Sequence, residues 1–409
     1  MALPRPKHKK PMRPNIFWRT LVRVLSQFDK EAMAFRYSFP EKKLLSKEPC
    51  LILMNHSSFL DLKLASKILY PVPYQIVCTF DAMMGLEWLM RRIGCIPTAK
   101  FVSDMTLLKD MKYALHKTKT SVLMYPEAGY SFDGCSVRLP DNLGSLCKHL
   151  KVPVIMITVH GGFLQNPLFS GLKKRKVKVS ADVKLLLSKD DVEKKTPSEI
   201  DSVLKDAFSF DGFRWQAENK VKIDEPYRAE GLERILYKCS HCGTEGKMKS
   251  EGTTLSCQAC GREFYMNEVG ALEDKQSETR FSHIPDWYKW ESECAKTEVE
   301  EGTYSLASDT KIMMAVDFKA IYDIGKGRLV HDENGFRLFD ENGRLLYEHS
   351  PLTSHSVCAD FYWYEKGDVI GIGTKDTTYY CLLEDSYMVT KMRLAAEALY
   401  QKLRPRTEK

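Results

Sequence analysis

Short apolar runs alternate along the first half of the chain with stretches in which apolar residues recur every three or four positions. The runs at 50–55, 73–79, 95–98, 121–125, 152–159 and 176–186 have strand length. The stretches at 16–36, 58–69, 84–92, 105–117, 142–150 and 197–207 carry the helical period. This alternation predicts an α/β fold, a sandwich of helices around a largely parallel sheet. The nearly unbroken runs 50–55 and 152–159 fit its interior, where both faces are covered. Beyond residue 303 the pattern changes to short alternating strands. Two Asn-Gly pairs, Asn334-Gly335 and Asn342-Gly343, mark hairpin turns. Phe361 to Tyr364 and Thr377 to Cys381 have strong β character. Met388 to Leu403 then reads as an amphipathic helix through Val389, Met392, Ala396, Leu399 and Leu403.

Two of the buried-strand candidates run into ionisable residues. The run 50–55 leads to Asn55-His56, with Asp61 five residues past the histidine. Five residues on a regular helix leave two side chains about 140° apart. The pair meets only if His56 precedes the first turn and folds back, which a strand end leading into a helix start allows. A surface histidine beside an N-cap serine is the bland alternative for such a pair. The run 121–125 leads to Pro126-Glu127 in the same way. Functional groups of open α/β sheets gather at the carboxyl ends of strands, so the two tips can share one cleft. An imidazole as a residue type suits general-base work near neutral pH. A carboxylate behind it fixes the tautomer and stabilises the imidazolium. His56 and Asp61 are therefore the candidate catalytic pair. Glu127 is a candidate acceptor-positioning group, or alternatively a helix N-terminal acid.

These residues resemble the motifs of the 1-acylglycerol-3-phosphate acyltransferase (glycerolipid acyltransferase) family. Asn55, His56 and Asp61 match N-H-x-x-x-x-D. Tyr125, Pro126, Glu127 and Ser131 match part of F-P-E-G-T-R-S. Gly94 to Lys100 matches G-x-x-x-x-x-R with Lys for Arg, and Val152-Pro153-Val154-Ile155 matches a fourth block opening Val-Pro. The four blocks fall in the family's order within roughly the first 225 residues. The resemblance implies transfer of an acyl group from acyl-CoA or acyl carrier protein to a lysolipid hydroxyl, with Asn55, Glu127, Lys100, Tyr130 and Arg138 near the acceptor. In that scheme the substrate supplies the nucleophile, and backbone N–H groups after His56 receive the oxyanion. The chain departs from the family where Gly-Thr-Arg becomes Ala128-Gly129-Tyr130. A tyrosine offers one hydrogen bond and no charge, so the family's phosphate-binding arginine is missing. Lys100 keeps a charge without the guanidinium fork; Arg91, Arg92 and Arg138 are other cations in reach of the role. The competing class is a non-enzymatic lipid-binding or scaffold protein that keeps an acyltransferase-like domain.

Composition adds three points. Of 409 residues with net charge +7, seven cations (Arg5, Lys7, Lys9, Lys10, Arg13, Arg19 and Arg23) precede the first acid, Asp29. Phe17, Trp18, Leu21, Val22, Leu25 and Phe28 follow at helical spacing. A basic amphipathic helix bearing Trp and Phe is the pattern of an interfacial anchor on anionic phospholipid; a helix packed on the catalytic domain behind a basic tail is the alternative, and a nucleic-acid arm the third. No run approaches the roughly 20 apolar residues of a membrane span and no secretory pattern is visible. The expectation is a cytoplasmic protein, peripheral on the inner face of the cell membrane. Second, Cys239-Ser-His-Cys242 and Cys257-Gln-Ala-Cys260 are paired knuckles, each followed by glycine. Cys239, Cys242, Cys257 and Cys260 suit tetrahedral Zn²⁺ in a closed, structural site. A ribbon this short is expected to draw its folding energy from the metal; no aromatic-basic cluster points it to nucleic acid. Third, the length accommodates two or three domains with cores of their own: a basic helical arm at 1–40, an acyltransferase domain at 41–230, a zinc ribbon at 236–266 and a β-rich domain with terminal helix at 280–405. The last, an antiparallel meander closed by one helix, is similar in shape to a pleckstrin-homology-type barrel.

Overall fold

The computed structural model describes residues 8–27, 35–56, 61–101, 104–276, 278–316, 320–374 and 376–404. Arg5, Lys7, Phe28 and the backbone N–H groups directly after His56 lie outside the described residues. The first sheet has seven strands: β1 (Arg36–Ser38), β2 (Leu51–Met54), β3 (Tyr74–Thr79), β4 (Cys95–Thr98), β5 (Ser121–Met124), β6 (Val154–His160) and β7 (Ser180–Leu187). Their order is β1-β7-β6-β2-β5-β3-β4. β2 pairs in parallel with both β5 and β6, and β3 with β5 and β4. β7 runs antiparallel to β6 and has β1 parallel on its far side. The fold is thus α/β with a largely parallel sheet. All four side chains of β2 are fully buried, as its unbroken apolar run requires. Ile52 and Met54 face one layer with Leu64 and Ile68 of the helix Asp61–Leu69. Leu51 and Leu53 face the other with Met111, Leu143 and Leu150.

Several elements differ from the sequence expectation. The N-terminal helix Ile16–Leu25 ends in a turn at Ser26; residues 28–34 of the predicted stretch 16–36 lie outside the described residues, and Arg36–Ser38 is an edge strand. The helix predicted at 105–117 is α-helical from Met105 to Lys112 and closes with a π-turn at Tyr113–Lys117. The strand expected at 176–186 begins at Ser180, because Arg175 and Lys176 are held by loop contacts to Arg228 and Glu225.

Beyond residue 236 come two antiparallel sheets. Strands β8 (Met248–Glu251), β9 (Thr254–Cys257), β10 (Glu263–Met266) and β11 (Leu272–Asp274) form the ribbon, in the order β11-β10-β9-β8. A helix, Ile284–Glu301, leads to β12 (Leu306–Ala315), β13 (Ile321–Asp332), β14 (Gly335–Asp340), β15 (Leu345–His349), β16 (Cys358–Asp360), β17 (Asp368–Gly373) and β18 (Thr378–Leu383). Their order is β15-β14-β13-β12-β18-β17-β16, and the helix Ser386–Leu403 follows. The two Asn-Gly pairs join β13 to β14 and β14 to β15.

Beside the two core layers of the first sheet, the parts share a further core. One apolar cluster joins Phe132, Phe163, Phe169 and Phe213 to Leu255, Phe264 and Trp287, and onward to Ile312, Phe361 and Met392. The first sheet keeps cores of its own, as the length allowed, and a shared cluster is added to them. The structure embeds one side of the ribbon between the first sheet's outer loops and the C-terminal meander.

Candidate active site

The register of the two central strands assembles the site. Ile52 lies opposite Leu123 and Leu53 opposite Met124, so the tips of β2 and β5 end side by side. His56 leaves the first tip and Glu127 the second. Asp61 lies in the helix Asp61–Leu69, and His56 follows the end of β2. The imidazole Nδ1 donates to Asp61 Oδ2 at 2.8 Å, in the tautomer that a carboxylate partner selects. Nε2 is then the basic nitrogen. The Asp61 side chain is buried and that of His56 is 18% exposed, so the pair is held in the protein with one edge open.

Two tyrosines fix the ring plane. Tyr125 stacks on one side of His56 with centroids 4.3 Å apart, and Tyr130 stacks at 4.0 Å. Burial pushes both phenols well above their ordinary pKa, so both present neutral rings. Position 130, where the family's arginine is absent, therefore acts on the histidine through its face.

Glu127 is 2% exposed. Its Oε2 accepts the backbone N–H of His56 and its Oε1 that of Val137, each at 2.8 Å. The carboxyl group ties the β2 tip to the loop beyond β5. Burial raises its pKa to about 7, against the lowering effect of those two N–H donors. Ala128 follows with φ of +56°, a left-handed conformation that glycine adopts more readily than alanine. This explains why a glycine suits the motif there.

The other acceptor candidates are placed differently. Both amide atoms of Asn55 are taken up by the backbone of Val159, Oδ1 accepting at 2.7 Å and Nδ2 donating at 3.1 Å. Asn55 thereby extends the β2–β6 pairing past the end of the strand, and its amide faces the sheet rather than a substrate. Arg138 donates to Asp141 at 3.3 Å and lies over Tyr400. Its charge is paired with Asp141, and the C-terminal helix supplies only the Tyr400 ring. Arg91 pairs with Glu87 and Arg92 stacks on Trp88. Lys100 is the cation brought to the site, with Nζ 6.0 Å from the Tyr130 ring centroid. Burial would lower its pKa, but Cys358, Asp360 and Asp81 raise it above the ordinary value, so the ammonium is kept.

Two of those neighbours belong to the meander. Asp360 ends β16, and burial raises its pKa to about 6 although Lys100 lowers it. Arg393, on the C-terminal helix, donates to the Tyr130 carbonyl at 3.4 Å and lies over Phe132. The sequence carried no signal for either. Both come from segments with no motif, and only the tertiary fold brings them to the tip of β5.

The four knuckle cysteines come together within 4.8 Å of one another. Cys239 Sγ is 3.8 Å from Cys260 Sγ, and Cys242 Sγ is 3.8 Å from Cys257 Sγ. A tetrahedral ion with metal–sulfur bonds of about 2.3 Å has edges of about 3.8 Å, so the set can hold a metal ion. Gly243 N–H donates to the Cys239 carbonyl and Gly261 N–H to that of Cys257, both at 2.9 Å. Both glycines have positive φ, +75° and +73°, the turn that closes each knuckle.

Residues 36–160 match the family model described as Acyltransferase, and the segment includes His56, Asp61, Lys100 and Glu127. Comparison with curated protein sequences gives no match. Among solved structures the chain is similar to the 1-acyl-sn-glycerophosphate (LPA) acyltransferase PlsC from Thermotoga maritima. The identity is 13% and the TM-score 0.37, over 47% of this chain and 78% of that one. Residues 36–160, the segment that matches the family model, carry both strand tips and the His–Asp pair.

Proposed function

We propose that the protein is an O-acyltransferase that moves a fatty acyl group from acyl-CoA or acyl carrier protein to a hydroxyl of a lysophospholipid. The observation that carries this reading is the 2.8 Å contact of His56 Nδ1 with the buried Asp61. It leaves Nε2 free to take a proton. In the reaction the acceptor hydroxyl gives its proton to His56 Nε2 as its oxygen bonds to the thioester carbonyl carbon. Asp61 stabilises the imidazolium so formed. Collapse of the tetrahedral intermediate breaks the carbon–sulfur bond, and the proton leaves with the thiol. No serine of the enzyme is needed. The stacked tyrosines hold the imidazole in plane, and Glu127 holds the backbone from which it projects.

The four-cysteine set is assigned to zinc, in a structural role, since four thiolates leave no open coordination position. The membrane surface is the proposed workplace. Among the described residues no helix is long and apolar enough to cross a membrane. The helix Ile16–Leu25 exposes Ile16, Phe17, Val24 and Leu25, and Trp88 is exposed beside Trp18. With Arg13 and Arg23 close by in the chain, this face suits the anionic inner surface of the cell membrane.

The test is consumption of acyl donor with a panel of lysolipids. His56→Ala should fold normally and lose roughly 10²–10⁴-fold in turnover, the range for a lost general base. Asp61→Asn should also slow turnover. Wild-type rates in folded His56→Ala protein would sink the mechanism.

A further inference from the structure

The loop beyond β5 carries Tyr130 to the face of His56, with ring centroids 4.0 Å apart. Within that loop Ser131 closes a tight turn. Its hydroxyl donates to the Cys135 carbonyl at 2.6 Å and accepts the Gly134 N–H at 2.9 Å. Both bonds are internal to the loop, so they shape it without fixing where it stands. A grip from outside comes from the helix Ser386–Leu403. Arg393 Nη1 donates to the Tyr130 carbonyl at 3.4 Å, and its guanidinium lies 4.4 Å from the centroid of the Phe132 ring. One side chain thus holds the residues on both sides of Ser131. A planar guanidinium can donate at its edge while its face covers a ring; the point charge of a lysine has no such face.

Arg393 is itself held in place. Its Nε donates to Glu397 Oε1 at 3.4 Å, one turn along the same helix, and that oxygen also accepts the Ser356 hydroxyl at 2.8 Å. Arg393 is 6% exposed. Burial would lower its pKa, but Tyr288 and Glu397 hold it above the ordinary value, so the charge is kept. A buried charge is a costly way to fill a core, and an apolar side chain of similar volume often serves stability as well or better. What an apolar side chain cannot do is hold a carbonyl oxygen. The chain has a tyrosine where the resembled motif has arginine, and an arginine from far outside residues 36–160 comes to that tyrosine's backbone. Resting on the acyltransferase reading, we infer that Arg393 is a positioning residue for the base, holding Tyr130 against His56 from the C-terminal helix. It touches no reacting atom. It acts through the Tyr130 ring, which fixes the plane in which His56 Nε2 meets the acceptor hydroxyl.

The experiment reads the contact by NMR, at fixed pH, on the full-length protein labelled at histidine Cε1. His56→Ala identifies the His56 signal, which the two flanking rings shift away from that of an exposed imidazole. Tyr130→Leu gives its position with one ring removed. Arg393→Met should move the signal well toward that position, and Arg393→Lys should move it the same way by less. Thr390→Val is the control on the same helix, since it removes a hydroxyl that donates to the Arg234 carbonyl at 2.6 Å. It should lower the melting temperature and leave the signal in place. With palmitoyl-CoA and the best acceptor of the lysolipid panel, Arg393→Met should lose up to roughly 100-fold in kcat, the cost of about 1 Å of misplacement, with KM little changed. A His56 signal unmoved in either arginine variant that folds, or moved as far by Thr390→Val, would overturn the inference. A signal that moves as expected in a protein that acylates no acceptor would instead refute the enzyme reading and leave the positioning contact standing.

Discussion

Glu127 shows how much one buried carboxyl group controls. It bridges two backbone N–H groups on separate segments, yet burial still lifts its pKa from 4.5 to about 7. The native state therefore holds this proton more tightly than the unfolded chain does. Between pH 4.5 and 7 the folded protein binds the extra proton, so the contribution of Glu127 to stability falls as pH rises through that window. The fall in melting temperature from pH 4.5 to 7 should be steeper in wild type than in Glu127→Gln; parallel profiles would show that the carboxyl group titrates normally. The meeting of His56, Asp61 and Glu127 was legible in the sequence because each sits at a fixed offset from an apolar run, but the backbone tie that occupies both Glu127 oxygens, in place of the acceptor contact expected of it, was not. Tyr130 was legible only as a missing charge. Its stacking on His56 depends on how the loop beyond β5 turns, and no spacing encodes that. Asn55 misled for a related reason. A polar residue at a strand tip reads as a ligand, but here the sheet's own ladder takes both of its hydrogen-bonding atoms.

At the scale of elements, periodicity located the strands of the first sheet and the hairpins of the meander, because a strand buried on both faces and an Asn-Gly turn are local signals. It overran the N-terminal helix. The apolar spacing continues past Leu25, but Ser26 caps the turn, its N–H and hydroxyl both returning to the Val22 carbonyl. What the described helix offers is a short face with Phe17 and Leu25 exposed. Deleting residues 1–27 should weaken sedimentation with anionic vesicles, and the wild-type binding should fall with added salt as surface charge is screened. Unchanged binding after the deletion would move the anchor elsewhere. The ribbon permits a cleaner test at Cys260, which is exposed, so serine there adds no buried polar atom. Purified protein should carry one zinc per chain, and Cys260→Ser should lower that content and the melting temperature together. Zinc-free protein of full stability, prepared without chelator, would rule out a structural metal.

For the molecule as a whole, the shared core changes what the ribbon and meander mean. Phe132 lies 4.6 Å from Phe361 across the junction, and Phe264 packs edge-on against Trp287 at 4.8 Å. Each such aromatic, moved to water, would forfeit about 1.5–3 kcal/mol, a large part of a domain's net stability. Polar contacts cross the junction as well. Arg234 donates to Asp368, and Lys391 from the C-terminal helix reaches Glu245 in the ribbon and Glu298 in the preceding helix. Composition could not show this, since an apolar residue in a loop looks the same whether it serves its own domain or a neighbour. The parts should therefore unfold together. Calorimetry on the full chain should give one transition, with near-ultraviolet and far-ultraviolet dichroism melting coincidently. A chain ending at residue 236 should expose Phe132, Phe163 and Phe169 and bind a hydrophobic dye in the manner of a loosened core. Two separate transitions, with the truncated chain melting like the first of them, would show that the acyltransferase domain stands alone. In the cooperative case the C-terminal meander cannot be removed without loosening the loop that holds Tyr130 against His56, because Arg393, 263 residues further along the chain, holds that loop by its carbonyl.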